Sequence, residues 1–410
     1  MDQTSSTLTG TALTLIHTGR APTRSALTGQ LGVTRATIGA VTGELRDLGL
    51  IVVEAGPGSG PKSSVAKGRG QQGRPSHRLL SDPSGPVALA AEVHPDGYAV
   101  ALVGLGGTVV ARRAENGPAP EDPAAAFAPV AEAGGALLRE SGRRCVGAAV
   151  AVPTAVTRPE GTAVRALYVG WPDGAPVRDM FAAAVARYGV RDLLGGRFGC
   201  EAVNDVNARA LAEHRHGAGR DATHLLVVSA EQRGVGGALV QGGALYTGSS
   251  GLAMEAGHVS VDPGGLPCRC GNRGCLSVEA DVERFLAEVG HPPAAGTPVL
   301  DEAVALLRAG YPDDPRVRAA ADAVAARLGL GLAGLINVVN PDRVLLGGLY
   351  RELLAVAPER LREAVARRSP WGHGAAVPVE PCVLDDALLI GAAEMAWQPV
   401  LDNPALLRAS

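Results

Sequence analysis

The first apolar residues of the chain come in short clusters separated by polar turns. Leu13 and Ile16 mark one short helix and Leu27 and Leu31 a second; Ile38, Val41, Leu45 and Leu48 recur at helical intervals, forming one face of a third. Gly32 breaks the second helix after Leu31, and Thr34 can cap the third. Three short helices with a tight turn between the last two predict a helix-turn-helix. Ile51, Val52 and Val53 then read as a strand, followed by the polar stretch PGSGPKSSVAKGRGQQGRPSHRLL, which reads as the hairpin wing of a winged helix.

Beyond Pro86 the pattern changes. VALAAEVHPDGYAVALVGLGGTVVARR predicts two or three antiparallel strands turning at Pro95 to Gly97 and Gly104 to Gly107. An alanine-rich helix follows over about 123 to 139, then a buried strand from Cys145 to Val152. Gly161 to Gly174 is irregular, and Val177 to Tyr188 reads as a helix capped by Asp173 or Gly174. Asn204, Asp205 and Asn207 lie between a short strand and a helix expected to start near Ala208. HLLVVSAEQRGVGGALVQGGALYTG predicts two strands joined by a turn, Val317 to Val338 a long helix, and 341 to 348 a strand. A last helix, Asp386 to Trp397, is expected to pack back on the first α/β unit. The expected division is 1–85, a winged helix-turn-helix; 86–200, one α/β lobe joined by helix 386–398; and 201–385, a second α/β lobe.

Composition adds four constraints. At 410 residues the chain is too long for one core, and with aromatics at 3% its cores must be built mainly from Ala, Val and Leu. Net charge is -3, yet the first 80 residues carry nine Lys/Arg against four Asp/Glu, an asymmetry that points to nucleic acid at that end. The N-terminus lacks a signal-peptide pattern and no stretch is uniformly apolar over a membrane's width, so the expected place is the cytoplasm, with no membrane partner. Cys145, Cys200 and Cys382 are scattered among apolar or small residues and read as reduced core thiols.

Candidate chemistry falls in four places. Thr34, Arg35 and Thr37 start the third helix, the end that enters the major groove in this motif; Arg24 and Arg46 are placed near phosphates; Lys62, Lys67, Arg69 and Arg74 sit in the wing. A small protein-binding winged module with a basic loop is the alternative. Asp205 stands where a strand gives way to a helix, a common place for a ligand-gripping carboxylate, although Asn and Asp are also favoured helix caps. Gly234, Gly236 and Gly237 are available for close approach to a ligand. Lastly, His258, Cys268, Cys270 and Cys275 offer one imidazole and three thiols, a set suited to one structural zinc per chain, with Glu255 three residues before the histidine and a short β-like run, His258 to Val261, ahead of the cysteines. Gly271 and Gly274 let so short a loop turn. Three buried free thiols are the alternative, against which stand Arg269, Asn272 and Arg273 interleaved with them.

Taken together, Glu255-x-Gly257-His258, the loop Cys268-x-Cys270-Gly271-x-x-Gly274-Cys275-Leu276, Asn204-Asp205-x-Asn207-Ala208 and Gly73-Arg74-Pro75 resemble the ROK family of repressors and sugar kinases, and specifically its regulators with an N-terminal winged helix. The resemblance implies a two-lobed actin-like body, zinc on His258, Cys268, Cys270 and Cys275, and a sugar in the cleft. By the same resemblance Asp205 matches the catalytic base of the kinases, and Asn204, Glu255 and His258 match sugar-binding positions. It also implies a homodimer, in some members a tetramer, on an inverted-repeat operator in double-stranded DNA, with a sugar or sugar-derived effector. Two departures separate this chain from the kinases. The phosphate loop Asp-x-Gly-Gly-Thr is replaced by Glu92 to Gly97, where Pro95 removes a donor and Glu92 and Asp96 bring negative charge. Ser277 stands where a sugar-gripping glutamate follows Cys-Leu, and Thr154 where the family's Ile-Pro-Gly turn has glycine. The expectation is a regulator, not an enzyme; a sugar kinase with a fused DNA-binding domain and a DNA-bound scaffold with a degenerate pocket are the alternatives.

Overall fold

The computed structural model describes residues 6–55, 76–190, 199–291, 298–370 and 376–409. Lys62, Lys67, Arg69 and Arg74 lie outside the described residues. At the N-terminal end, helices α1 (Leu8–His17), α2 (Arg24–Leu31) and α3 (Arg35–Asp47) bury Leu13, Ile16, Leu27, Ile38, Val41 and Leu45 against one another. Gly32 ends α2 in the left-handed conformation at φ 65°, and the Thr34 hydroxyl caps α3 by accepting from the Thr37 N–H. Strands β1 (Ile51–Glu54) and β2 (Arg78–Ser81) pair antiparallel beside α3.

The body is built from two five-stranded sheets with the same strand order. In the first, β3 (Val87–His94), β4 (Gly97–Gly104) and β5 (Thr108–Asn116) form an antiparallel meander; β6 (Cys145–Val152) and β9 (Cys200–Asn204) extend it in parallel, giving β5-β4-β3-β6-β9. Short strands β7 (Ala155–Val156) and β8 (Ala163–Val164) pair across the irregular stretch that follows β6. In the second sheet, β10 (His224–Ala230), β11 (Val235–Gln241) and β12 (Ala244–Leu245) repeat the meander, and β13 (Arg343–Gly348) and β14 (Val379–Pro381) the parallel extension. Helices α4 (Pro123–Ser141) and α5 (Val177–Arg187) accompany the first sheet. Between the sheets runs α6 (Asp205–His216), which begins where β9 ends and packs Val206 and Ala210 against Leu225, Val227, Ala238 and Val240 of the second lobe.

After β12 come a 3-10 turn at Ala256–His258 and the helices α7 (Leu276–Glu279), α8 (Val282–Val289), α9 (Val299–Gly310) and α10 (Pro315–Val339). Helix α10 is long and apolar enough, by length and composition, to cross a membrane, but it carries Asp322 and Arg327 and buries Val324, Leu328, Leu332 and Ile336 in the core of the second lobe. Helices α11 (Leu349–Val356) and α12 (Pro358–Ala366) complete that lobe. The last long helix, α13 (Ala387–Asp402), returns to the first sheet, where Trp397 is fully buried and donates to the Val103 carbonyl at 3.1 Å.

Several local expectations are corrected. The helix expected near Ala208 starts at Asp205, because Asn204 is the cap: its side chain accepts from the Asn207 N–H at 3.1 Å. Helix α5 starts at Val177 without a side-chain cap, and Asp173 instead accepts from the Arg165 N–H at 2.9 Å. The run from His258 to Val261 is not a strand; it holds the isolated bridge Ser260 to Cys275, because the chain must bend there to bring the histidine to the thiols.

Candidate functional site

The cysteine loop closes on itself through backbone geometry only glycine tolerates easily. Gly271 and Gly274 have φ of 97° and 63°, and a Cβ on Gly274 would collide with the Asp262 carbonyl. The turn brings Cys268 Sγ to 3.7 Å from His258 Nδ1 and Cys270 Sγ to 3.7 Å from Cys275 Sγ, with all four donor atoms within 4.8 Å of one another. A tetrahedral zinc with sulfurs at about 2.3 Å sets neighbouring sulfurs about 3.8 Å apart. The donor set therefore fits the ion in both chemistry and spacing. Burial pushes the Cys275 thiol up to about 12, so ionising it costs energy that a bound dication would offset.

Beside this loop a cavity of about 310 Å³ opens between the lobes. The first lobe supplies Thr154, Arg165 and Tyr168; the β9–α6 junction supplies Asn204 and Asp205; the second lobe supplies Glu231, Arg233, Glu255, His258 and Ser277. The structure thus brings Asn204, Asp205, Glu255 and His258 to one cavity. Its volume is at the small end of small-molecule sites. Because Asn204 caps α6, Asp205 keeps its carboxylate for the cavity: Oδ1 accepts from the Val206 N–H at 2.8 Å and from Asn204 Nδ2 at 2.9 Å. Burial first, then the neighbouring Glu231 charge, raises the Asp205 carboxyl to about 7. Burial likewise raises Glu255, and it lowers His258 with help from Arg165. The Ser277 hydroxyl, on the cavity wall, is engaged by the backbone: it accepts from the Val235 N–H at 3.1 Å and donates to the Val235 carbonyl at 3.2 Å.

The two lobes are clasped on both sides of the cavity. Arg165 donates to the Cys270 carbonyl and Arg269 to the Leu167 carbonyl, each at 3.0 Å, and the Arg269 guanidinium lies 5.5 Å from the centre of the Tyr168 ring. On the opposite side, Arg233 from the β10–β11 turn reaches Asp96 in the β3–β4 turn at 3.3 Å and also bonds Glu283. The Asp96 N–H points to His94 Nδ1 at 3.3 Å. Below them Arg209 grips Glu231 in a fork at 2.7 and 3.1 Å, and burial raises the Glu92 carboxyl to about 7. Arg209, Glu231, Arg233 and Tyr168 escaped the sequence reading; the only signal was the charged run Glu231-Gln232-Arg233 ahead of the glycines.

At the N-terminal end Arg35 is exposed at the first position of α3. Thr34 and Thr37 bond each other, hydroxyl to hydroxyl, at 2.9 Å as part of the cap. Arg24 opens α2, half-buried, and Arg46 is exposed but paired with Asp47 at 2.8 Å.

A family model described as the ROK family matches residues 95–398. The glucokinase of Thermotoga maritima is 34% identical over 204 residues, 47% of this chain and 64% of that protein. A putative xylose repressor of Caldicellulosiruptor is 31% identical over 269 residues, 63% of this chain and 64% of its own. The dual regulator NagC of Escherichia coli is 26% identical over 57% of this chain and 59% of its own. The matches thus span less than two thirds of these curated relatives. Among solved structures, a ROK family transcriptional regulator, a homolog of the Escherichia coli MLC protein, aligns over 98% of both chains with TM-score 0.73 at 21% identity, which shows the shared fold. The ROK hexokinase of Thermus thermophilus aligns over 77% of this chain and all of its own, with TM-score 0.59 and 26% identity. With most of its length matched, a cleft between two lobes of identical strand order and a histidine–cysteine cluster on its wall, this chain belongs to the ROK family.

Proposed function

We propose that the chain is a sequence-specific DNA-binding transcriptional regulator, a repressor of sugar-related genes, whose operator binding responds to a sugar or related small molecule in the interlobe cleft. In this reading residues 1–85 bind DNA, 86–200 with the last helix and 201–385 form the sensing body, and the protein works as a cytoplasmic homodimer. Arg24, Thr34, Arg35, Thr37 and Arg46, with Lys62, Lys67, Arg69 and Arg74 of the wing, meet the duplex. Asn204, Asp205, Glu255 and His258 hold the effector. One zinc on His258, Cys268, Cys270 and Cys275 fixes the cleft wall and takes no part in chemistry.

The observation that carries the choice of regulator over kinase is the Arg233 bridge. A nucleotide's phosphates need donors and space between the first hairpin and the β10–β11 turn. Here Pro95 has no N–H to offer, and Arg233 spans that gap already paired with Asp96 and Glu283. The kinase reading keeps one observation in its favour, since Asp205, raised to about 7, has the pKa of a general base. A thermal-shift screen against monosaccharides, amino sugars and their phosphates, with and without ATP, tests the choice. Stabilisation by a sugar alone supports the regulator, and stabilisation that needs ATP as well overturns it.

A further inference from the structure

Away from the cleft and the zinc loop lies a second cluster of titratable side chains. Glu394 of α13 is fully buried and takes four contacts. His17, at the end of α1, approaches both carboxylate oxygens at 2.8 Å; His216 donates to Oε1 at 2.8 Å and Arg215 to Oε2 at 2.5 Å. Arg215 also donates to Gln398 at 2.6 Å. The Gly106 N–H donates to His17 Nδ1 at 2.8 Å, which fixes the proton of a neutral His17 on Nε2, facing Glu394. Gly106 and Gly107 turn β4 into β5 with φ of 82° and 71°, and a Cβ on Gly107 would strike the His216 ring. The two imidazoles meet edge to face at 4.9 Å. Nearby, Arg220 donates to the Thr18 carbonyl and Arg20 to the Arg220 carbonyl at 2.6 Å. The winged helix is thus fastened at the end of α1 to both lobes of the body.

Two of the donors, Arg215 and His216, close the helix that Asn204 and Asp205 open. With 12 residues α6 is about 18 Å long. It is tightly held, for a Cβ on Gly391 of α13 would collide with the Ala208 carbonyl. A packed helix of this length moves as a unit. We propose that Glu394 is the positioning residue of the winged helix, and that α6 is the strut through which occupancy of the cleft at Asn204 and Asp205 reaches it. The second half rests on the effector reading above. Three side chains of this kind would also suit a dication, but the Arg215 guanidinium bonded to Glu394 and the Gly106 bond to His17 leave the cluster satisfied without one.

The test uses the full chain with Glu394→Gln and the milder His216→Ala. Hydrogen exchange should quicken about tenfold in α1 of Glu394→Gln and about threefold in His216→Ala, with α3 unchanged in both. Unchanged protection of α1 in both variants overturns the positioning role. For the strut, D-glucose, D-xylose and N-acetyl-D-glucosamine are the probes. The sugar that binds the wild chain should bind Glu394→Gln with the same Kd yet no longer change operator affinity; an unaltered response overturns the strut. If none binds the wild chain, the effector reading fails and the strut with it, while exchange in α1 still decides the positioning role. A second metal ion per chain that disappears in His17→Gln would overturn both.

Discussion

Asp205→Asn should stabilise the protein while removing its response to ligand, and the size of the gain should depend on pH. The carboxyl is raised from 3.8 to about 7 by burial and by Glu231. Its folded value lies above its unfolded one, so between these pH values the unfolded chain has released the proton and the folded chain retains it. Stability therefore falls as pH climbs from about 4 to about 7 and levels off above. At about 1.4 kcal/mol per pH unit the full penalty is roughly 4 kcal/mol. Asp205 is only half-buried at the cavity wall, however, and screening there reduces the gain to roughly 1–2 kcal/mol. At about 2–4 °C per kcal/mol for a lobe of this size, the melting temperature of Asp205→Asn should rise by roughly 2–8 °C at pH 8. At pH 5.5 the gain should be about half as large, since only about half of the titration interval has been crossed. Asparagine keeps the oxygen that accepts from Val206 and Asn204, so the change is confined to charge. Melts of both proteins from pH 5 to pH 8.5 measure it. A difference that is flat with pH, or a variant less stable at pH 8, would refute the assignment of a raised carboxyl at this position.

Other expectations follow from the same structure. Cys270→Ser should release the metal, and elemental analysis should find about one zinc per wild-type chain and much less in the variant; a folded wild-type chain without zinc sinks the assignment. ADP release should stay at background for any hexose or hexosamine; turnover on the order of 1 s⁻¹ that vanishes in Asp205→Asn would reverse the choice of branch. By fluorescence anisotropy on a selected operator, Arg35→Ala should cost about 1–3 kcal/mol of discrimination against random duplex. Lys67→Ala should instead weaken both duplexes together and lower the salt slope by about one; equal losses on both for Arg35→Ala would remove its base-reading role.

What the sequence determined by itself was local. The apolar spacing of Ile38, Val41 and Leu45, the Thr34 cap and the Gly32 stop lie within a few turns of one another, so helical period and backbone preference suffice to read α3 and its entry. The histidine–cysteine cluster was legible for the same reason: three of its four donors share one short loop and the fourth lies ten residues upstream. Even there the local reading erred where the chain bends, at the expected strand after His258 and at the first residue of α6, since helix ends depend on which neighbour takes the cap. The repeated strand order of the two sheets left no trace in the pattern, because strand pairing records which segments meet and not what each contains. Only the tertiary structure placed Arg233 against Asp96, 137 residues away, and His17 against Glu394, 377 residues away. Each is an ordinary charged or polar residue in its own segment. Their partners are fixed by the packing of the two lobes and the winged helix, and buried charges persist only where that packing supplies a counter-charge or donor.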